Sequence, residues 1–170
     1  GVKNRGTFSG IQEKIPYLLE LGVTTLEILP SVEFQEVMMP HKADVSPYVK
    51  AQEEKPSGKV NYWGFVPGLY FAPKASYCSG GENTPAAEFK DLVKALHREG
   101  LELVMDLFFT GEETESFVLD VLRFWVMEYH VDGFNLIGFA PVRTLGRDPY
   151  LSRVKLLAQS WDQVPGGKHR

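Results

Sequence analysis

A chain of 170 residues, 44% apolar and 24% charged, has the size of one domain and the composition of a globular one, which excludes wholesale disorder. Its 18 basic and 22 acidic residues leave a formal charge of −4 and form no basic stripe, so no nucleic-acid partner is expected. One cysteine, Cys78, excludes an internal disulfide and a multi-cysteine zinc site, and no apolar run reaches the roughly 18 residues of a membrane span.

The first residues carry no charged, apolar leader of the signal-peptide type and read like the interior of a longer protein; the scarcity of cysteine favours the cytoplasm. Next comes a helix signal. Ser9 suits its cap and Gln12 the return partner of a capping box. Ile11, Ile15, Leu18 and Leu19 recur on one face, and Gly22 suits the left-handed residue that ends a helix. Pro16 is discordant, since proline belongs in a first turn or at a kink. Residues 23–29, β-branched and mostly apolar, predict a strand stopped by Pro30.

Residues 31–83 hold no sustained period and read as one long irregular loop, a length that inside a compact domain is functional or disordered. The aromatic stretch 61–71 is expected to pack and the charged stretch 52–55 to be mobile. Thr84 and Pro85 then open a helix that buries Phe89, Leu92, Val93 and Leu96 and ends at Gly100. Residues 101–109 predict a strand apolar on both faces, as in a parallel sheet covered by helices. A helix over 115–130 has Val118, Val121, Leu122, Trp125 and Tyr129 on its buried side. A strand over 132–137, an irregular or helical piece at 148–152 and a last strand over 154–159 complete the chain. Four strands alternating with helices predict an α/β fold with a parallel sheet.

In such folds ligands bind at the carboxyl ends of the strands, here residues 30–34, 106–110, 135–138 and 159–162. Asp106, the clearest polar residue in an apolar strand, is either a site residue or a carboxylate bonded to neighbouring backbone. No glycine-rich phosphate loop follows any strand. Tyr62, Trp63, Tyr70 and Trp161 have faces that could stack on sugar rings; packing is the expectation for Trp63, and Trp125 is expected in the core. His97 and His130 fall at helix ends, where a cation suits the dipole. No metal or cofactor is implied.

Several segments carry a resemblance. Gly6-Thr7-Phe8-Ser9-Gly10 through Thr24, Glu27-Ile28-Leu29-Pro30-Ser31-Val32-Glu33-Phe34, Asn61-Tyr62-Trp63-Gly64-Phe65 with Tyr70-Phe71-Ala72-Pro73, and residues 88–97 resemble, in order, the alpha-amylase superfamily of glycoside hydrolases. The likeness is to its isoamylase, glycogen-debranching and branching-enzyme members. It implies a partial (β/α)8-type barrel, with the four strands matching the second to fifth of the family's eight, over residues 1–170 as a single domain.

The family's catalytic motifs are where the chain departs. Asp106 is kept from the third-strand motif, but residues 107–111 lack the asparagine and histidine that ordinarily follow. The fourth-strand motif ordinarily presents arginine and the nucleophilic aspartate; Asn135 and Ile137 stand there. The fifth-strand motif ordinarily presents the general-acid glutamate before Pro-Trp-Asp; this chain has Gln159-Ser160-Trp161-Asp162. Retaining cleavage needs two carboxyl groups about 5–5.5 Å apart. Isoleucine cannot attack, and glutamine has no proton of suitable acidity. Glu112, Glu113 and Glu115 are no clear substitute, since acids at a helix start suit its dipole. The expectation is a catalytically inactive relative that contacts α-glucan through Tyr62, Asp106, Asn135, Gln159 and Trp161, or serves as a partner module. The alternatives are part of an active α-glucan hydrolase or transferase, and a structural interaction domain without sugar affinity. Half a barrel leaves open strand edges, so self-association or the remainder of a longer chain is expected to complete it.

Overall fold

The computed structural model describes residues 1–37 and 59–158. The expected first helix is two helices, α1 (Phe8–Gln12) and α2 (Ile15–Glu20). Pro16 lies in the first turn of α2, because an interior proline lacks the N–H that the helix needs and clashes with the preceding turn. The cap of α1 is Thr7, whose Oγ1 accepts from Gly10 N at 3.1 Å. Ser9, expected to be the cap, instead gives its N–H to Glu88 Oε1 at 2.8 Å.

Gly22, at φ +73°, turns the chain into β1 (Thr25–Ile28). The region expected as unbroken loop holds an antiparallel pair, β2 (Val32–Glu33) and β3 (Leu69–Pro73), and a 3-10 turn at Ala75–Tyr77. A two-residue strand with a register shift between Val32 and Glu33 is too short to leave a periodic signal, which is why the sequence hid it. Lys74, almost fully buried, holds the pair together: Nζ donates to Glu33 Oε1 at 2.7 Å and to Phe34 O at 3.0 Å. Of the stretch expected to pack, Tyr70 is buried, whereas Tyr62, Trp63, Leu69 and Phe71 are exposed. Residues 52–55 lie outside the described residues.

From residue 84 the expected order holds. Thr84 caps α3 (Pro85–Arg98), β4 is Glu102–Phe109, Thr114 caps α4 (Glu115–Tyr129) and β5 is Gly133–Gly138. A short α5 (Val142–Leu145), a 3-10 turn at Leu151–Arg153 and β6 (Lys155–Ala158) follow. β1, β4, β5 and β6 form one parallel sheet in that order. Strand alternation splits its faces. Leu103, Met105, Leu107 and Phe109 of β4, with Phe134 and Leu136 of β5, enter the core with Phe89, Leu92 and Leu96 of α3 and Val118, Val121, Leu122 and Trp125 of α4. The Trp125 indole N–H donates to Tyr70 O at 2.7 Å, so this buried donor is satisfied and β3 is tied to α4.

Candidate functional site

The face of the sheet turned away from α3 and α4 carries the polar groups: Thr25 and Glu27 of β1, Glu102 and Asp106 of β4, Asn135 of β5 and Lys155 of β6. At its lower level Glu102 Oε2 accepts from Thr25 Oγ1 at 2.6 Å and pairs with Lys155. Gly133 lies between these strands, and a Cβ there would sit 2.6 Å from Lys155 O. Only glycine lets β6 come this close.

One level up, Asp106 and Asn135 are direct register partners. Asn135 Nδ2 reaches over β4 to donate to Glu27 Oε1 at 2.9 Å. Asp106 is only 5% exposed, and its Oδ1 has no hydrogen-bond partner among the described residues. Burial, and then the hydrogen bond and charge of Glu27, push its pKa up to about 6, against the opposing pull of Asn135. A carboxyl buried beside another carboxyl ionises less readily, so Asp106 holds its proton more tightly than an ordinary aspartate. Above them Phe108 and Ile137 are register partners, both half-buried.

Of the residues singled out in the sequence, Asp106, Asn135 and Ile137 therefore share one face. Tyr62 lines a different space, a cavity of about 560 Å³ between α1–α2 and the helix side of β1, with Ile11, Leu18, Leu26 and Ile28. Gln159 and Trp161 lie outside the described residues. Trp63, expected to pack, is 60% exposed and meets Tyr62 edge-on with centroids 5.7 Å apart. Glu113 is engaged in its own loop, accepting from Gly111 N and Thr110 Oγ1, both at 3.0 Å, and from Tyr70 Oη at 3.1 Å. His97 Nε2 lies 2.8 Å from Asp132 Oδ2. Among the described residues no group of three or more His, Cys, Asp or Glu could hold a metal ion, and no helix is long and apolar enough to cross a membrane.

Glu27 was missed as a site residue. The signal was available: it is a charged residue in a β-branched, apolar strand, the same feature that drew attention to Asp106.

Four parallel strands with helices packed on one face, and polar side chains gathered on the other, define a partial barrel of the (β/α)8 kind. No family model matches the chain. Isoamylase 3, chloroplastic, of Oryza sativa subsp. japonica is 28% identical over an alignment covering 94% of this chain and 27% of that protein. The glycogen debranching enzyme of Serratia proteamaculans is 29% identical, over 96% of this chain and 32% of that protein. Among solved structures, the pullulanase SAP of group B Streptococcus superposes with a TM-score of 0.67 at 21% identity, over 99% of this chain and 27% of that one. The pullulanase of Paenibacillus barengoltzii, in complex with maltohexaose and alpha-cyclodextrin, gives 0.60 at 18% identity, over 86% and 29%. The chain is therefore similar in sequence to isoamylases and glycogen-debranching enzymes over nearly its whole length, and shares its fold with part of the pullulanases. It spans between a quarter and a third of the length of these relatives.

Proposed function

We propose that residues 1–170 are a single partial barrel domain of the debranching type that contacts α-glucan without cleaving it. The observation that carries this is Ile137: the position matching the family nucleophile lies on the same face as Asp106 and Asn135, beside Phe108, and holds no ionisable group. The carboxyls gathered on this face are Glu27 and Asp106, bridged by Asn135, which is the register partner of Asp106 and donates to Glu27 Oε1 at 2.9 Å. Gln159 offers an uncharged amide where the family's acid stands. Polar Asp106 and Asn135, with exposed Tyr62, are suited to hydrogen bonding and stacking on glucose units, and Gln159 and Trp161 are assigned the same role by the resemblance.

The purified protein is offered glycogen, pullulan and maltodextrin, and reducing-sugar release stays at the level of a heat-killed control. Titration with maltooligosaccharide gives a saturable change in Trp fluorescence. Release above the control overturns the inactive reading, and a flat titration favours a structural interaction domain without sugar affinity.

A second reading has one observation behind it. Because the chain matches under a third of each relative, it could contribute to an active α-glucan hydrolase or transferase whose carboxylates come from other strands. Completion of the barrel, by self-association or by further polypeptide, is supported by β1 and β6, each of which pairs on one side only among the described residues. Reducing-sugar release by a protein with these four strands joined to further ones separates this reading from the first.

A further inference from the structure

We propose that Glu27, Asp106 and Asn135 form a receptor for a guanidinium group. Asp106 is nearly fully buried, yet its Oδ1 accepts no hydrogen bond from the described residues. A buried acceptor left without a donor costs about 1–3 kcal/mol, and more when charged. The ionisable groups of this face are Glu27 on β1, Glu102 and Asp106 on β4, and Lys155 on β6; β5 contributes the neutral Asn135. Lys155 is paired with Glu102, which leaves Glu27 and Asp106, among the described residues, with an amide donor and no cation. The Asn135 amide fixes Glu27 Oε1 at 2.9 Å, so one carboxylate is held in place beside the other.

The missing partner must be cationic, because a neutral donor satisfies Oδ1 but leaves the charge of the pair uncompensated. It must also tolerate partial burial and bridge two acceptors. A guanidinium is weakly hydrated and planar, with donors spread in a fork; an ammonium is a compact, strongly hydrated point charge. A divalent metal fits poorly, since no cluster of three candidate ligands is present among the described residues. This site follows from charge balance and burial, whether or not the same face touches glucan.

The test is a carboxyl 13C NMR titration of the protein at pH 7.5 and constant ionic strength with methylguanidinium, methylammonium and sodium chloride. Methylguanidinium is expected to give saturable shifts at the Asp106 and Glu27 carboxyl carbons, methylammonium at least several-fold weaker ones, and sodium none. Binding is about tenfold weaker at pH 5, where a proton competes. E27Q, at an exposed position whose loss leaves the core intact, reduces affinity about tenfold; D106N, verified as folded by circular dichroism, abolishes it. A parallel titration with a short peptide holding one arginine separates the sources: tighter binding than methylguanidinium assigns the group to a polypeptide, equal binding to a free small cation. Shifts absent at both carbons, equal for all three salts, or retained in both variants overturn the proposal.

Discussion

Ile137 stands beside Phe108 in the parallel register of β4 and β5, so the strand position assigned by resemblance to a nucleophile borders an aromatic ring. Restoring a carboxylate there tests whether one residue separates this chain from turnover. We expect I137D to release no reducing sugar from glycogen or pullulan, because the acid position is a glutamine and the nearest carboxyls are paired with each other. A charge placed beside Phe108 and near Asp106 is poorly solvated and repelled. Denaturant unfolding should therefore show a loss of about 1–3 kcal/mol. Appearance of turnover in I137D would mean the missing acid is supplied from elsewhere.

Asp106 gives the stability an inverted pH response. Its folded pKa of about 6 lies above the ordinary 3.8, so the folded state holds the proton more tightly than the unfolded chain. Stability is then highest below about pH 4 for this group and falls as pH rises toward 6. At about 1.4 kcal/mol per unit, ionising Asp106 costs the fold on the order of 1–3 kcal/mol at neutral pH. D106N removes that cost and gives Glu27 an amide donor. Unfolding curves at pH 4, 5.5 and 7.5 should place D106N progressively above the wild type, and a constant difference across the three would contradict the raised pKa of Asp106.

Glu88 responds in the opposite sense. Burial alone would raise its pKa, but hydrogen bonds from Ser9 and Ser79 outweigh that and hold it down to about 2 from 4.5. Its Oε2 accepts from Ser79 N at 2.8 Å and Ser79 Oγ at 2.7 Å, while Oε1 takes Ser9 N; it thereby ties α1 and the 78–79 turn to the start of α3. The stabilisation is complete above the unfolded value of 4.5 and is lost as pH falls through the folded one. E88Q is expected to cost about 3 kcal/mol at pH 7, from about 1.4 kcal/mol per unit, with the difference shrinking toward zero near pH 2. A penalty that persists undiminished at pH 2 would assign the effect to shape and not to charge.

The contrast between Glu88 and Asp106 marks what could be read in advance. Helices α3 and α4 were legible because their apolar stripes, and for α3 the Thr84 cap, are local features with a fixed period, whereas the Thr114 cap of α4 emerged only in the structure. β4 and β5 were legible because continuous apolar runs demand burial on both faces. The β2–β3 pair was not, since it is held by Lys74 reaching residues about 40 positions earlier, a contact that leaves no local pattern. Pro16 signals a break between α1 and α2, but its ring is equally compatible with a kink, so the residue at which the helix divides is not local information. At the site, Asp106 stood out as a polar residue in an apolar strand, and Asn135 and Ile137 were indicated by the resemblance and share a face by alternation, but the partnership of Asn135 with Glu27, 108 positions apart, depends on strand order. That order is a tertiary fact, and with it came the burial and the missing partner of Asp106.

Tyr62 and Trp63 provide the test of sugar contact that leaves the core untouched. The two residues are 71% and 60% exposed and neither belongs to the buried core cluster, so truncation should leave the circular dichroism unchanged and move the unfolding midpoint little. The turn that presents them is held rigidly. Asn61 Oδ1 accepts from Gly64 N at 3.1 Å, and Gly64 sits at φ +72° with the Phe34 ring where a Cβ would come within 2.7 Å. Preorganised exposed rings lose little entropy when a ligand stacks on them, and aromatic face contacts contribute about 0.5–1.5 kcal/mol each. Y62A and W63A are therefore each expected to weaken maltooligosaccharide binding about two- to tenfold in Trp-fluorescence or calorimetric titrations, with calorimetry preferred for W63A because it removes a reporter. The F65A variant, altering the ring stacked 6.5 Å behind Trp63, should have a smaller effect. If Y62A and W63A bind as the wild type does, these rings belong to a protein contact and the glucan surface must be sought on the Asp106–Asn135 face alone.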